Sequence, residues 1–477
     1  MFDAVLARFV EQCPVAVMAQ LALRRALRPE WVDAVFEAHA EQQYTRELLF
    51  STVVDLMGLV AVGLRPSLHA AARQALADGT LGVSLQALYA KVNHSEPAVL
   101  RALVQESAAQ LAPVAAELRP PGAATAPAWL AGYRVRVLDG THFAPTEKRL
   151  KALRGRRGAA LPGQALVLYA PDEDLVLDQV VGDDAHAQEL HYVPALVAAA
   201  RPGELWLADR NFSTRGLLAA LHARGAAALV REHGRHPVPT PAGERRCVGR
   251  SATGVVYEQP VDCPGPTAAT PSLRLRRIEV ELDVPLESGE AVLRLLTTLP
   301  ATVPAPEIAE LYRRRWTVEG LFQRLQGVLH SEVSTLGMPR AALLAFSVAV
   351  VAYNVLAVVH AAVAGHAAQV AQATRTAAVP ISTYYVAQTV REYFHGLRLA
   401  VSDEVWARYD AQGSADLTAS LRELAAKVRL EAYRKHPRGS SGPRRPKGHV
   451  PPAERSEHVA TARVLAEYKQ QQRQQAP

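Results

Sequence analysis

With 477 residues and a formal charge of +7, the chain is too long for one ordinary core, and two or three domains are expected. The net charge is modest for this size, but basic residues cluster at 313–315 and 434–447, which points to a polyanionic partner more strongly than the total does. Cys13, Cys247 and Cys263 are odd in number and far apart, which excludes a zinc site of Cys/His spacing and favours a reduced, cytoplasmic setting.

The N-terminus carries Asp3 before any apolar run and lacks a basic leader, so no secretory signal is expected. Residues 1–115 repeat apolar side chains at three- and four-residue spacing with few β-branched runs, the pattern of an all-α domain. Within it, short helices at 84–90 and 97–104 flank Lys91-Val92-Asn93-His94-Ser95, with Ser95 placed to cap the second and Pro97 tolerated in its first turn. Such a pair serves as a helix-turn-helix or as part of an ordinary bundle, and both readings stand. Pro, Ala and Gly then mark a linker at 116–130.

From Tyr133 the pattern changes to short apolar strands at 133–139, 164–169 and 175–181, a helix at 187–200, a strand at 204–208, a helix at 214–224 and a strand at 226–231. This order predicts an α/β domain over 131–370. Residues 232–300 alternate Pro/Gly turns with strand-like runs at 273–282 and 291–298 and read as a β-rich insertion. A helix follows at 305–330. Residues 341–365 are almost uncharged and about as long as a membrane span, yet Ser347, Tyr353, Asn354 and His360 interrupt them, so a helix buried in protein is expected and no membrane partner. Residues 371–477 read as a helical C-terminal region, with a Pro/Gly-punctuated basic segment at 434–447 that is either a solvated tail or an arm for polyphosphate.

Two predicted strands end in a carboxylate: Asp139 in Val137-Leu138-Asp139-Gly140-Thr141 and Asp209 in Leu207-Ala208-Asp209-Arg210-Asn211. A third acid, Glu319, lies in Tyr312-Arg313-Arg314-Arg315-Trp316-Thr317-Val318-Glu319. On one continuous helix at roughly 100° per residue, Tyr312, Arg315 and Glu319 share a sector about 60° wide. That face would present a phenol, a guanidinium and a carboxylate together. Three acids on separate elements are what two hard divalent cations require in phosphodiester chemistry, where paired ions relieve charge on the entering and leaving oxygens.

The neighbours admit two readings each. Arg315 and Tyr312 suit phosphate oxygens, while an exposed arginine commonly pairs with a surface acid. Trp316 reads more readily as core packing than as base stacking. Arg210 and Asn211 contact DNA or simply end their strand. Asp172, Glu173, Asp174, Asp183 and Asp184 fall in turns and are expected to be solvated, and His142 is expected to be structural.

Tyr312-x-x-Arg315-x-x-x-Glu319 resembles the Y-R-E-K signature of bacterial DDE transposases of the insertion-sequence-four family, and Asp139-Gly140-Thr141 and Asp209-Arg210-Asn211-Phe212 resemble its first two acidic motifs. The likeness runs through the strand order, the β insertion and Ala352-Tyr353-Asn354. It implies a ribonuclease H-like catalytic domain with Asp139, Asp209 and Glu319 as catalytic and metal-binding triad, and two Mg²⁺ ions with Mn²⁺ as substitute. It further implies double-stranded DNA (transposon ends and target) as partner and a homodimer when bound to DNA; the candidate DNA contacts are Tyr312, Arg315, Gln326, Arg210 and Trp316. The family places a lysine seven residues after the glutamate, where this chain has Gln326. Gln326 can still bond a phosphate but carries no charge, and Arg324 points roughly opposite. The implied activity is strand cleavage at terminal inverted repeats and strand transfer into target DNA. The alternatives are a transposon-derived DNA-binding regulator that no longer cuts and a ribonuclease H-like nuclease without strand transfer.

Overall fold

A computed structural model describes residues 4–45, 47–119, 129–286, 288–436 and 457–475. The N-terminal part is helical: α1 (Ala4–Gln12), α2 (Pro14–Ala26), α3 (Pro29–His39), α4 (Phe50–Ala61), α5 (Leu68–Ala77), α6 (Leu85–Asn93) and α7 (Pro97–Leu118). Ser84 caps α6 by accepting the Ala87 N–H, as its position before the apolar run requires. Ser95 does not cap α7: its hydroxyl donates to the Val92 carbonyl, and Glu96 is the N-cap residue. The Glu96 carboxylate instead accepts the backbone N–H groups of Glu41, Gln42 and Gln43. α7 extends well past 104 and buries Leu100, Leu103, Val104 and Leu111. The second half of the helix-turn-helix candidate is therefore a core helix.

The central part supplies β1 (Arg134–His142), β2 (Ala159–Leu161), β3 (Gln164–Ala170), β4 (Leu175–Gly182), α8 (Val193–Val197), β5 (Glu204–Ala208), α9 (Arg215–Ala223) and β6 (Ala227–Arg231). The expected β-rich insertion follows as β7 (Thr240–Pro241), β8 (Arg246–Ser251), β9 (Gly254–Cys263), β10 (Leu273–Leu282) and β11 (Val292–Thr297). Among the described residues all of these but β2 form one sheet in the order β4-β3-β1-β5-β6-β11-β10-β9-β7, with β8 paired to β9. β1, β5 and β6 run parallel, β3 is antiparallel to β1, and β4 to β3. The insertion thus prolongs the main sheet through the β6–β11 pairing. β1, β5 and β6 lie inside the sheet; β5 and β6 are apolar but for Glu204 and Arg231 at their ends, as strands covered on both faces are, while β1 buries Arg136 against Glu204 at 3.3 Å.

The rest comprises α10 (Ala305–Arg313), α11 (Thr317–Gly327), α12 (Pro339–Thr374), α13 (Thr383–Ala400), α14 (Asp403–Asp410), α15 (Ser414–Ala425), β12 (His458–Ala460), which pairs with β2, and α16 (Thr461–Gln475). The helix expected at 305–330 is broken: Arg314–Trp316 form a 3₁₀ turn between α10 and α11. No Gly or Pro marks that break. The single shared sector expected for Tyr312, Arg315 and Glu319 fails with it, since Tyr312 and Arg315 are buried while Glu319 is exposed.

One hydrophobic core joins the N-terminal helices, one sheet face, α12 and the C-terminal helices; a second, with Leu138, Trp206, Phe212 and Leu221, lies under α8 and α9 on the other face. The helices of 1–115 thus share a core with the sheet. By length and composition α12 could cross a membrane, but its apolar window is wholly buried here. The polar side chains that interrupt its apolar run, Ser347, Tyr353, Asn354 and His360, are bonded within the protein, as enclosed polar groups must be. Ser347 accepts from Gln179 Nε2 and donates to the Leu343 carbonyl, Asn354 exchanges two hydrogen bonds with the Val176 backbone, and His360 meets the Ile381 carbonyl. The linker expected at 116–130 lies mostly, and the basic segment at 434–447 almost wholly, outside the described residues.

Candidate active site

The strand register brings two of the three acids together. In the parallel β1–β5 pair the last partners are Leu138 and Ala208, and Asp139 and Asp209 each follow by one residue. Adjacent strands lie about 4.8 Å apart, and side chains at equivalent positions of a parallel pair leave the same face. Asp139 is held locally by the Gly140 N–H, which donates to Oδ1 at 3.0 Å. Asp209 caps the turn Arg210–Phe212 by accepting the Asn211 N–H at 2.8 Å.

Arg315 reaches the same place from the 3₁₀ turn. Its Nη1 donates to Asp139 Oδ2 at 3.2 Å, with both side chains largely buried, and its Nε is buried without a partner. The guanidinium also lies 5.8 Å from the Tyr312 ring centroid. Burial pushes the Tyr312 phenol up to about 12, against the opposing pull of Arg315, so it is a neutral donor. Burial likewise pushes the Asp139 carboxyl up to about 6; Arg315 works against this, and the charges of Asp209 and Glu189 add to it.

Glu189 is the residue the sequence reading missed. It was expected inside a helix at 187–200, but only Val193–Val197 is α-helical and Glu189–His191 form a separate 3₁₀ turn. A Cβ on Gly140 would stand 2.1 Å from Glu189 Oε1, so the carboxylate sits against the bare backbone beside Asp139. Burial first, and Asp209 second, raise its pKa. The available signal was Gly140 itself, since a glycine inside a strand often marks close approach of another group.

Glu319 lies in the first turn of α11, four residues past Arg315, and is exposed. Among the described residues no group of three or more His, Cys, Asp or Glu is gathered closely enough to hold a metal ion. The pair Asp139–Asp209 is assembled, with Glu189 in the place beside it. Gln326 is exposed and donates to Glu332 Oε1 at 2.9 Å. Trp316 is 59% exposed, which overturns the core-packing reading of that residue. Arg210 pairs loosely with Glu290 at 3.8 Å and, with Asn211, lines a cavity of about 380 Å³ that Glu189, Ser213, His233 and His236 also border. His142 is exposed at the end of β1.

The turn acids are not simply solvated. Asp172 pairs with Arg119, Glu173 with Arg136, Asp174 with Arg324, Asp183 with Arg340 and Asp184 with Arg463. Each cation comes from a distant part of the chain, so a local reading could not supply it.

No curated protein matches the chain. It is similar to the solved piggyBac transposase in a synaptic complex with hairpin DNA, with a TM-score of 0.38 and 11% identity over 85% of each chain. Asp139, Asp209, Glu319 and the residues around them all fall within 130–355, the stretch that matches the family model described as a transposase DDE domain, and this match supports a DDE transposase.

Proposed function

We propose that this chain is a transposase of the insertion-sequence-four type that binds the terminal inverted repeats of its own element, nicks to expose a 3′-hydroxyl and joins that hydroxyl to target DNA. The observation that carries the reading is the register-matched pair Asp139–Asp209 with Arg315 seated on it. The strand order β4-β3-β1-β5-β6, antiparallel on one side of β1 and parallel on the other, supports a ribonuclease H-like catalytic domain.

The donor set suits hard divalent cations. Asp139 and Glu189 are both raised in pKa beside Asp209, and crowded, partly buried carboxylates are the electrostatic condition that a cation relieves. Asp139 and Asp209 would hold Mg²⁺, two ions in all with Mn²⁺ as substitute, and Glu319 would complete the set by swinging its side chain inward while α11 itself stays in place. Bound ions would supply charge relief at the entering and leaving oxygens and an activated oxygen nucleophile. Arg315 now neutralises Asp139 and would pass to a phosphate oxygen, and the neutral Tyr312 hydroxyl would donate alongside. Trp316, Arg210 and Gln326 would meet the DNA, the 1–115 helices would bind the ends, and 434–447 would add counterion-releasing contacts. The protein would act in the cytoplasm, as a homodimer on DNA.

The test is metal-dependent nicking of DNA carrying the inverted repeats that flank the reading frame, followed by sequencing for joined ends. Nicking that is lost in Asp139→Asn and Asp209→Asn supports the reading; nicking retained in both variants overturns it. Nicks without joined ends would identify a nuclease. A regulator that binds ends without cutting is the second reading, favoured by the uncharged Gln326 and the outward Glu319.

A further inference from the structure

Glu319 and Gln326 share a short helix with an arginine that does something quite different. Arg324 turns away from both into a polar cluster between α11, α12 and the β3–β4 turn, where its Nη2 donates to Asp174 Oδ1 at 3.0 Å and also to the Tyr353 hydroxyl. Tyr353 and Tyr169 both donate to that same Asp174 oxygen. Burial first, with the adjacent Asp174 charge adding to it, holds both phenols well above their usual range, so each keeps its proton to donate. Three donors from α11, α12 and β3 therefore converge on one oxygen of a turn residue.

Asp174 has a φ of 55°, a left-handed conformation that side chains other than Asn and Asp adopt at a cost. Glycine would be at ease there, so the position is occupied for the carboxylate.

We propose that Arg324 is a positioning residue, which by binding Asp174 and Tyr353 fixes the rotation of α11 and so the direction in which Glu319 leaves it. This rests on the reading of Glu319 as the third site acid. Two features of the fold make the anchor necessary. The 3₁₀ turn at Arg314–Trp316 separates α11 from α10, so α10 cannot impose its own phase. The apolar stripe Val318, Leu321 and Leu325 holds a short helix down but is non-directional, whereas hydrogen bonds from a planar guanidinium are directional. Arg324 follows Glu319 by five residues, about 140° around the axis; drawing it into the cluster turns Glu319 to the other side. With Arg315 fixed to Asp139 four residues before Glu319, the acid stands between two guanidinium anchors.

The experiment compares wild type, Arg324→Met, Arg324→Lys and Asp174→Asn by hydrogen exchange across 317–327, with 339–374 as internal control, and by nicking of end DNA. Arg324→Met and Asp174→Asn should speed exchange in 317–327 by about tenfold or more while 339–374 is unchanged. They should lower kcat by about tenfold or more with KM for DNA within about twofold, and Arg324→Lys should recover part of both. Unchanged exchange in 317–327, or acceleration spread equally over 339–374, overturns the proposal. Selective acceleration with no metal-dependent nicking by wild type would leave the anchor standing and bring down the reading of Glu319.

Discussion

Asp139 and Asp209 stand one residue beyond Leu138 and Ala208, the last paired positions of two adjacent parallel strands. Their proximity is set by backbone hydrogen bonding and does not depend on any side-chain contact. Replacing either carboxylate by its amide should therefore leave the sheet intact. Asp139→Asn and Asp209→Asn are expected to lower nicking by at least about a thousandfold, a loss of some 4 kcal/mol of transition-state stabilisation, with end-DNA affinity within about threefold of wild type. Parallel titration by gel shift and cleavage measures both, and a comparable loss of binding would place these acids in DNA recognition.

The crowding around Asp139 gives a pH signature. Its carboxyl is pushed up to about 6 from an ordinary value of 3.8, by burial first and by Asp209 and Glu189 against the pull of Arg315. The folded protein therefore binds more protons than the unfolded chain between those values, and stability falls as pH rises through the window. Relative to Asp139→Asn, which cannot titrate, metal-free wild type should lose about 2 kcal/mol between pH 4 and 7. Denaturant unfolding of both proteins at the two pH values reads this directly. Adding Mg²⁺ at pH 7 should restore wild type alone.

Much of this region is legible in the sequence because the strands end where apolar runs meet Asp139 and Asp209, a local signal. The broken helix is not. Arg314–Trp316 contain neither glycine nor proline, and Arg315 is drawn toward Asp139, 176 positions away. Pairings of this kind also tie down Asp172, Asp174 and Asp184, whose arginine partners are supplied by distant elements. Glu189 stayed hidden for a related reason, its significance depending on a missing side chain on another strand.

Gly140 and Glu189 form a pair that can be tested as one. Gly140→Ala would place a methyl 2.1 Å from Glu189 Oε1, and the carboxylate, the end of a flexible side chain, should swing away. The clash would then be offset by the gain from replacing a strand glycine, leaving stability within about 1 kcal/mol of wild type. The Asp139 step in the pH profile should move toward lower pH, as it should in Glu189→Gln. The two effects should not add in the double variant, and additive shifts would show that the residues act independently.

Trp316 lies 59% exposed in the turn that precedes Glu319. Removing an exposed side chain normally changes stability by no more than about 0.5 kcal/mol. Trp316→Ala should therefore melt like wild type. If the ring stacks on an unpaired base at the processed end, binding should weaken by about 1–3 kcal/mol, roughly five- to 150-fold. The loss should be larger on end DNA with an unpaired terminal nucleotide than on intact duplex. Equal losses on both substrates would point to a backbone contact.

Gln326 occupies the position where the resemblance calls for lysine, and its amide is engaged with Glu332 at 2.9 Å. The side chain is exposed, so Gln326→Lys costs no burial of charge. An ammonium there can form an ion pair with Glu332, but exposed pairs contribute only about 0–1 kcal/mol, too little to hold it against a phosphate. Introducing the lysine should tighten end binding at low salt and steepen the dependence of log K on log salt by about one unit, the signature of one added phosphate contact. Nicking should rise with it if strand placement limits the reaction. A steeper slope without faster nicking would mean that Gln326 positions DNA adequately and that the outward Glu319 sets the rate.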